Sequence, residues 1–220
     1  MRRALATIAF LMTVAGGQAW AGSSPAERGV EYLQQGKIPQ AIPDLQNAVE
    51  QDPKDTASRM NLAYAYEREN RFDEAINHYE KILALKPKDS VARNNLAVLY
   101  DKQGRYEEAI QEFETVLEGD PKNALAAKNL DTAKKNMAAV KERERQIDSA
   151  KQAADAQPNN PRALYNLARA YAFYGKKDEA LASLNKALKL GYNDLAYLKS
   201  DSALENLRND PEYQRLVAGR

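Results

Sequence analysis

Three asparagines carry the first hint of chemistry. Asn61 and Asn95 stand 34 residues apart, each directly before a leucine, and Asn166 precedes Leu167 in the same way. A carboxamide offers two N–H donors and a carbonyl acceptor, enough to satisfy both peptide groups of an extended chain laid against it. A repeated carboxamide would hold a ligand by its main chain and leave sequence choice to neighbouring side chains. The alternative is that Asn is a tolerated, solvated residue at this place. Other reactive groups are scarce. Cysteine is absent and His78 is the single histidine, which removes disulfides and thiolate nucleophiles and argues against zinc and transition-metal centres. His78 itself is expected on a solvated helix face. Carboxylates fall at helix starts or in surface neighbours such as Glu80–Lys81 and Glu107–Gln111, not as a paired acid and base. No G-x-S-x-G, phosphate loop or dinucleotide fingerprint occurs. The reading is of a non-enzymatic chain without metal or cofactor.

Charge and hydropathy narrow the setting. The 220 residues carry 32 basic and 31 acidic side chains, with mean hydropathy −0.68. There is no basic block to attract nucleic acid. The first 21 residues differ from the rest: "MRR" is followed by the apolar run "ALATIAFLMTVAGG" and by "AWA". The run is too short to span a bilayer comfortably. A positive start, an apolar stretch and small residues before a junction describe a cleavable export signal. Cleavage between Ala21 and Gly22 is expected, leaving a nearly neutral protein in the periplasm with no stable membrane insertion.

The elements that must position the asparagines repeat. Pro53, Pro87 and Pro121 are spaced by 34, as are Tyr32, Tyr66 and Tyr100, and Ala41, Ala75 and Ala109. Leu45, Tyr79 and Phe113 follow the alanines by four. A period of this length carried by several positions signals stacked structural repeats. The units run 22–55, 56–89 and 90–123, with a further copy at 161–194 that keeps Leu167, Ala168, Tyr171, Gly175, Ala180, Leu184 and Ala187 in register. Each unit reads as two helices. In "SRMNLAYAYEREN" Leu62, Ala63 and Tyr66 form one stripe at helical spacing. Asn70, Gly104 or Gly175 then supplies a residue that tolerates the left-handed conformation. Acidic pairs such as Asp73–Glu74, Glu107–Glu108 and Asp178–Glu179 suit the start of the second helix.

These residues resemble the tetratricopeptide repeat family. The resemblance implies an all-α fold, helical hairpins stacked in a right-handed superhelix (an α-solenoid), with Ala63, Ala97 and Ala168 where helices pack closely. It also implies that the first helices line a concave groove and that Asn61, Asn95 and Asn166 point into it, with Tyr64, Asn94, Val98, Arg162, Tyr165 and Arg169 as neighbours. Some family members bind the backbone of an extended peptide this way. The clamp used by others for a C-terminal carboxylate is not expected, because Ala26 and Val30 stand where Lys and Asn are needed.

Three places depart from the pattern. Pro39 and Pro43 fall in the second helix of the first unit, so a late start or a kink is expected. In 124–160, Asn129–Leu130 begins well, which would extend the ladder, but Asp131 and Lys134 replace a small residue and a Tyr. With no Gly in this span, it is either a degenerate hairpin or one long helix over about 124–156. Finally, 195–220 is not a repeat; Ser202 with Glu205 suggests a capping box, Asp210–Pro211 a helix start, and Leu195, Leu198, Leu204, Leu207 and Leu216 a cover for the last unit. The expected function is an exported scaffold or adaptor that binds a protein or extended peptide in a cell-envelope assembly. Self-assembly into a homo-oligomer, or service as an accessory subunit of an envelope enzyme, are the alternatives.

Overall fold

The computed structural model describes residues 23–218. The export-signal expectation, with its junction at Ala21 and Gly22, lies outside them. Every element among the described residues is helical: α1 (Pro25–Gln34), α2 (Ile38–Gln51), α3 (Thr56–Arg68), α4 (Phe72–Leu85), α5 (Ser90–Lys102), α6 (Tyr106–Gly119), α7 (Ala124–Ala156), α8 (Pro161–Phe173), α9 (Lys177–Lys189), α10 (Leu195–Ser200), a 3-10 helix (Ser202–Leu207) and α11 (Pro211–Ala218). The described residues divide into two compact units, one ending at Met137 and the other starting at Ala138.

In the first unit α1/α2, α3/α4 and α5/α6 are antiparallel hairpins. The same local chemistry makes each turn. Gly36, Asn70 and Gly104 take φ values of 70°, 58° and 79°. The next N–H, from Lys37, Arg71 and Arg105, donates back to the carbonyl of Tyr32, Tyr66 and Tyr100, at 2.9 Å in each case. This six-to-one bond closes a helix end with one left-handed residue. Short polar side chains start the first helices: the Ser24 hydroxyl caps α1, Asp55 accepts from the Ala57 N–H at 2.9 Å, and Asp89 from Val91 and Ala92. The core is continuous through the hairpins, and Ala41, Ala63, Ala75, Ala97 and Ala109 are completely enclosed. In the first hairpin the close approach is at Gly29, where an added Cβ would lie 2.5 Å from Leu45 Cγ.

The second helix of the first hairpin does not start late. Ile38 opens α2 in register with Phe72 and Tyr106; Pro39 lies in the first turn and Pro43 inside the helix. A first-turn proline forfeits no helical hydrogen bond, so only Pro43 removes one.

Residues 124–156 form one helix of 33 residues. Position 138, in register with Gly36, Asn70 and Gly104, holds Ala138, and it is helical. Alanine resists the left-handed conformation and has the highest helix propensity, so no hairpin turn forms there. Lys134 nonetheless takes over the bond its register requires. Gln46 Nε2 donates to Tyr66 Oη at 2.8 Å and Tyr100 Oη donates to Glu80 at 3.2 Å, each bond spanning 20 residues. Lys134 Nζ donates to Glu114, again 20 residues back, at 2.8 Å.

In the second unit α8 and α9 form a hairpin with the same turn, Gly175 at φ 76° and the Lys176 N–H on the Tyr171 carbonyl at 2.9 Å. Leu198, Leu204 and Leu207 are buried against this hairpin, with Leu195 and Leu216 partly so. Asp210 caps α11 through the N–H groups of Glu212 and Tyr213. The capping box expected at Ser202 does not form: Asp201 is the N-cap instead and accepts from the Ala203 N–H at 3.0 Å. A buried carboxylate outcompetes the hydroxyl because it also serves α8.

Candidate functional site

The candidate face is built from the first helix of each hairpin, and in the first unit these helices are bonded to one another in a fixed register. Asn129 Nδ2 donates to Asn94 Oδ1 at 3.3 Å, and Asn95 Nδ2 approaches Met60 Sδ at 4.0 Å. Two helical turns further, Lys102 Nζ pairs with Glu67 at 2.5 Å, and Asn136 Nδ2 donates to both Asp101 oxygens at 3.1 Å. Each of these contacts spans 35 residues. Thus α3, α5 and the start of α7 lie side by side, joined at two levels.

This seam explains part of the asparagine recurrence. Asn61, Asn95 and Asn129 are 4%, 1% and 1% exposed. A buried carboxamide is costly unless bonded, and here a neighbouring first helix supplies contacts. Asn94 is also buried, and its Nδ2 has no partner among the described residues. Val98 is enclosed, whereas Tyr64 is half-buried with its hydroxyl accepting from Arg68 at 2.8 Å. Glu67 and Asp101 are both buried carboxylates, but only Glu67 meets a cation. Burial therefore raises the Asp101 pKa above the usual carboxylate range, and the Asn136 amide only partly offsets it.

The remaining candidates belong to the second unit and sit in a different setting. Asn166 and Arg162 are exposed and Arg169 is half-buried. Tyr165 is buried, stacked on Tyr192 with ring centroids 4.2 Å apart. Its hydroxyl donates to Asp201 at 2.8 Å, and Arg169 Nε meets the same carboxylate at 2.5 Å. Burial opposes the Asp201 charge, but the Ala203 N–H, the Tyr165 hydroxyl and Arg169 outweigh it and hold the pKa low. Arg169 and Tyr165 thus anchor the C-terminal segment, a role that sequence spacing alone did not reveal.

His78 is not a freely solvated residue. It is half-buried and stacked against Tyr66, with centroids 5.6 Å apart. Burial, with help from the charges of Arg59 and Lys81, pushes its pKa down to about 4, so it is neutral at physiological pH. Among the described residues, no group of three His, Cys, Asp or Glu could hold a metal ion, and no helix is long and apolar enough to cross a membrane.

Comparison with known proteins agrees with this architecture. Family models described as "Tetratricopeptide repeat" match residues 27–90, 68–130 and 149–182. The chain belongs to the tetratricopeptide repeat family. Among solved structures, the first such domain of human RPAP3 is 27% identical, covering 54% of this chain and 93% of its own, at TM-score 0.50. The first such domain of Spaghetti (RPAP3), bound to the HSP90 peptide SRMEEVD, is 28% identical, with 52% and 90% coverage and TM-score 0.50. A double mutant of MamA is 18% identical, with 82% and 98% coverage and TM-score 0.49. No curated protein matches the chain significantly.

Proposed function

We propose that this chain is a non-enzymatic, exported scaffold that binds a protein or peptide segment through its first-helix faces, within a cell-envelope assembly. The observation that carries it is the side-by-side register of α3, α5 and the start of α7, which builds one continuous surface from repeated positions. Such a surface suits a ligand recognised along its length rather than at a point. The peptide seen on the Spaghetti (RPAP3) domain supports the same use of the fold. In this reading Tyr64 meets the ligand on the first unit; Arg162, Asn166 and Arg169 are the exposed candidates of the second unit, considered by itself. Asn61, Asn94, Asn95, Asn129 and Val98 form the floor on the first unit and set its shape, as Tyr165 does on the second. The periplasmic address rests on residues 1–21 alone.

The test is capture of envelope proteins by the parent and by Tyr64→Ala and Asn94→Leu variants, with circular dichroism as a folding control. Loss of a specific partner from folded variants is expected; identical capture would remove the first-helix face from the mechanism. Mass spectrometry of the protein from a periplasmic fraction should give Gly22 as the N-terminus. An intact leader there would overturn the export reading.

A further inference from the structure

Asp101 is a buried carboxylate in the seam between α5 and the start of α7, 7% exposed. Both of its oxygens accept from one nitrogen, Asn136 Nδ2, at 3.1 Å. Seven residues earlier the same two helices meet through Asn94 and Asn129, two neutral amides. The neighbouring seam, between α3 and α5, holds a second buried carboxylate, Glu67, and that one pairs with Lys102. Two carboxylates of similar burial thus have different partners: a cation for Glu67, an amide for Asp101.

The charged groups on the elements that pack against Asp101 are committed elsewhere. Lys102, its neighbour on α5, turns to Glu67 on α3. Arg68 on α3 stands on Tyr64. Past the end of α5, Arg105 is held by Glu108. On α7, Lys135 pairs with Asp131 at 2.5 Å and Lys134 with Glu114 at 2.8 Å. Among the described residues no cation meets Asp101, so its ionised form is enclosed with a single amide nitrogen for support. An ionised carboxylate only accepts hydrogen bonds, whereas a protonated one also donates, and a carboxamide offers both a donor and an acceptor. The protonated acid and the Asn136 amide are therefore complementary. The anion leaves the amide oxygen unused and loses hydration that one amide cannot replace.

We propose that the Asp101–Asn136 contact is a pH-sensitive latch holding the start of α7 against α5, tight when Asp101 carries a proton and weakened when it does not. Burial raises the Asp101 pKa above its ordinary 3.8, and the Asn136 amide offsets only part of that rise. The folded chain therefore keeps this proton to higher pH than the unfolded chain. The contribution of the latch is complete below pH 3.8 and is lost as pH rises through the folded value. His78 acts in the opposite sense, its contribution being lost as pH falls towards 4. The two are separate in space, since His78 lies on α4 against Tyr66. The latch belongs to the first unit alone and operates whatever ligand the first-helix face takes; acidification firms the α7 edge of that face.

The test is hydrogen–deuterium exchange of the full chain between about pH 4.5 and 7.5, read by mass spectrometry and corrected for the intrinsic exchange rate at each pH. In the parent, protection of peptides from the start of α7 should fall roughly threefold or more as pH rises. Asp101→Asn keeps the shape and offers Asn136 a donor and an acceptor at every pH, so its profile should be flat by comparison. Taking the difference between parent and variant cancels His78 and the other carboxylates. A second readout needs no variant: the Asp101 carboxyl carbon of a 13C-labelled parent, followed by NMR, should titrate above 3.8. Equal pH dependence in parent and variant, protection that rises with pH relative to the variant, or a carboxyl midpoint at or below 3.8 overturns the proposal.

Discussion

Replacing Ala138 with glycine tests the account of why one helix replaces a hairpin. Ala138 is exposed, so the substitution removes no packing. It stands 34 residues after Gly104, whose φ is 79°, yet it lies inside α7. Glycine in a helix interior costs about 0.8–1 kcal/mol relative to alanine. Were residue 138 instead the left-handed residue of a turn, glycine would relieve about 1–2 kcal/mol of strain. The two accounts therefore differ in sign. For a chain of this length a loss of about 1 kcal/mol lowers Tm by roughly 2–4 °C. Urea and thermal unfolding followed by far-ultraviolet circular dichroism should show Ala138→Gly less stable, with faster amide exchange at Val140 to Glu144. Gly104→Ala, at a true turn, should cost about 1–2 kcal/mol. A rise in stability of Ala138→Gly would refute the continuous-helix reasoning.

Three further outcomes follow from the packing. Gly29→Ala should lose about 1–3 kcal/mol by overpacking against Leu45, and Leu45→Ala in the same chain should recover part of that loss in denaturant titrations. Lys102→Ala leaves the Glu67 carboxylate buried without its cation and should cost about 2–3 kcal/mol; adding Glu67→Gln should recover part of it. His78 has a folded pKa near 4, below the unfolded value near 6.5, so the unfolded state binds the proton first. Its contribution is complete above pH 6.5 and is lost as pH falls towards 4, on the order of 2 kcal/mol. His78→Phe keeps the stack on Tyr66 and should flatten the stability profile in that window; an unchanged slope would reassign the effect to carboxylates.

The hairpins were legible because their signals are local. A tyrosine carbonyl, one left-handed residue and an acidic first turn lie within a dozen residues, and each makes the bond its type suggests. The span 124–156 stayed ambiguous because the absence of glycine weakens a turn without specifying what replaces it. The burial of Asn95 and Asn129 was not legible. It depends on a residue 35 positions earlier in space-filling contact, and the periodicity shows only that the two recur. The displacement of the cap from Ser202 to Asp201 has the same origin: Asp201 is chosen by Tyr165 and Arg169, far away in sequence. His78 was misplaced because its partner, Tyr66, belongs to the preceding helix.

A chain assembled from near-copies faces a folding hazard, since any first helix could settle against the wrong predecessor. The polar contacts of the seam act as addresses against this. Stacked on α3 instead of α5, the start of α7 would bring Asn136 to Glu67 and Asn129 to Met60. The Glu67 carboxylate would then be enclosed without Lys102, and Asn129 would exchange a carboxamide partner for a thioether. Each mismatch penalises a skipped repeat more than it weakens the correct order. Apolar residues in those places would pack in either order with little preference, so the asparagines and the single lysine give the array its sequence of assembly.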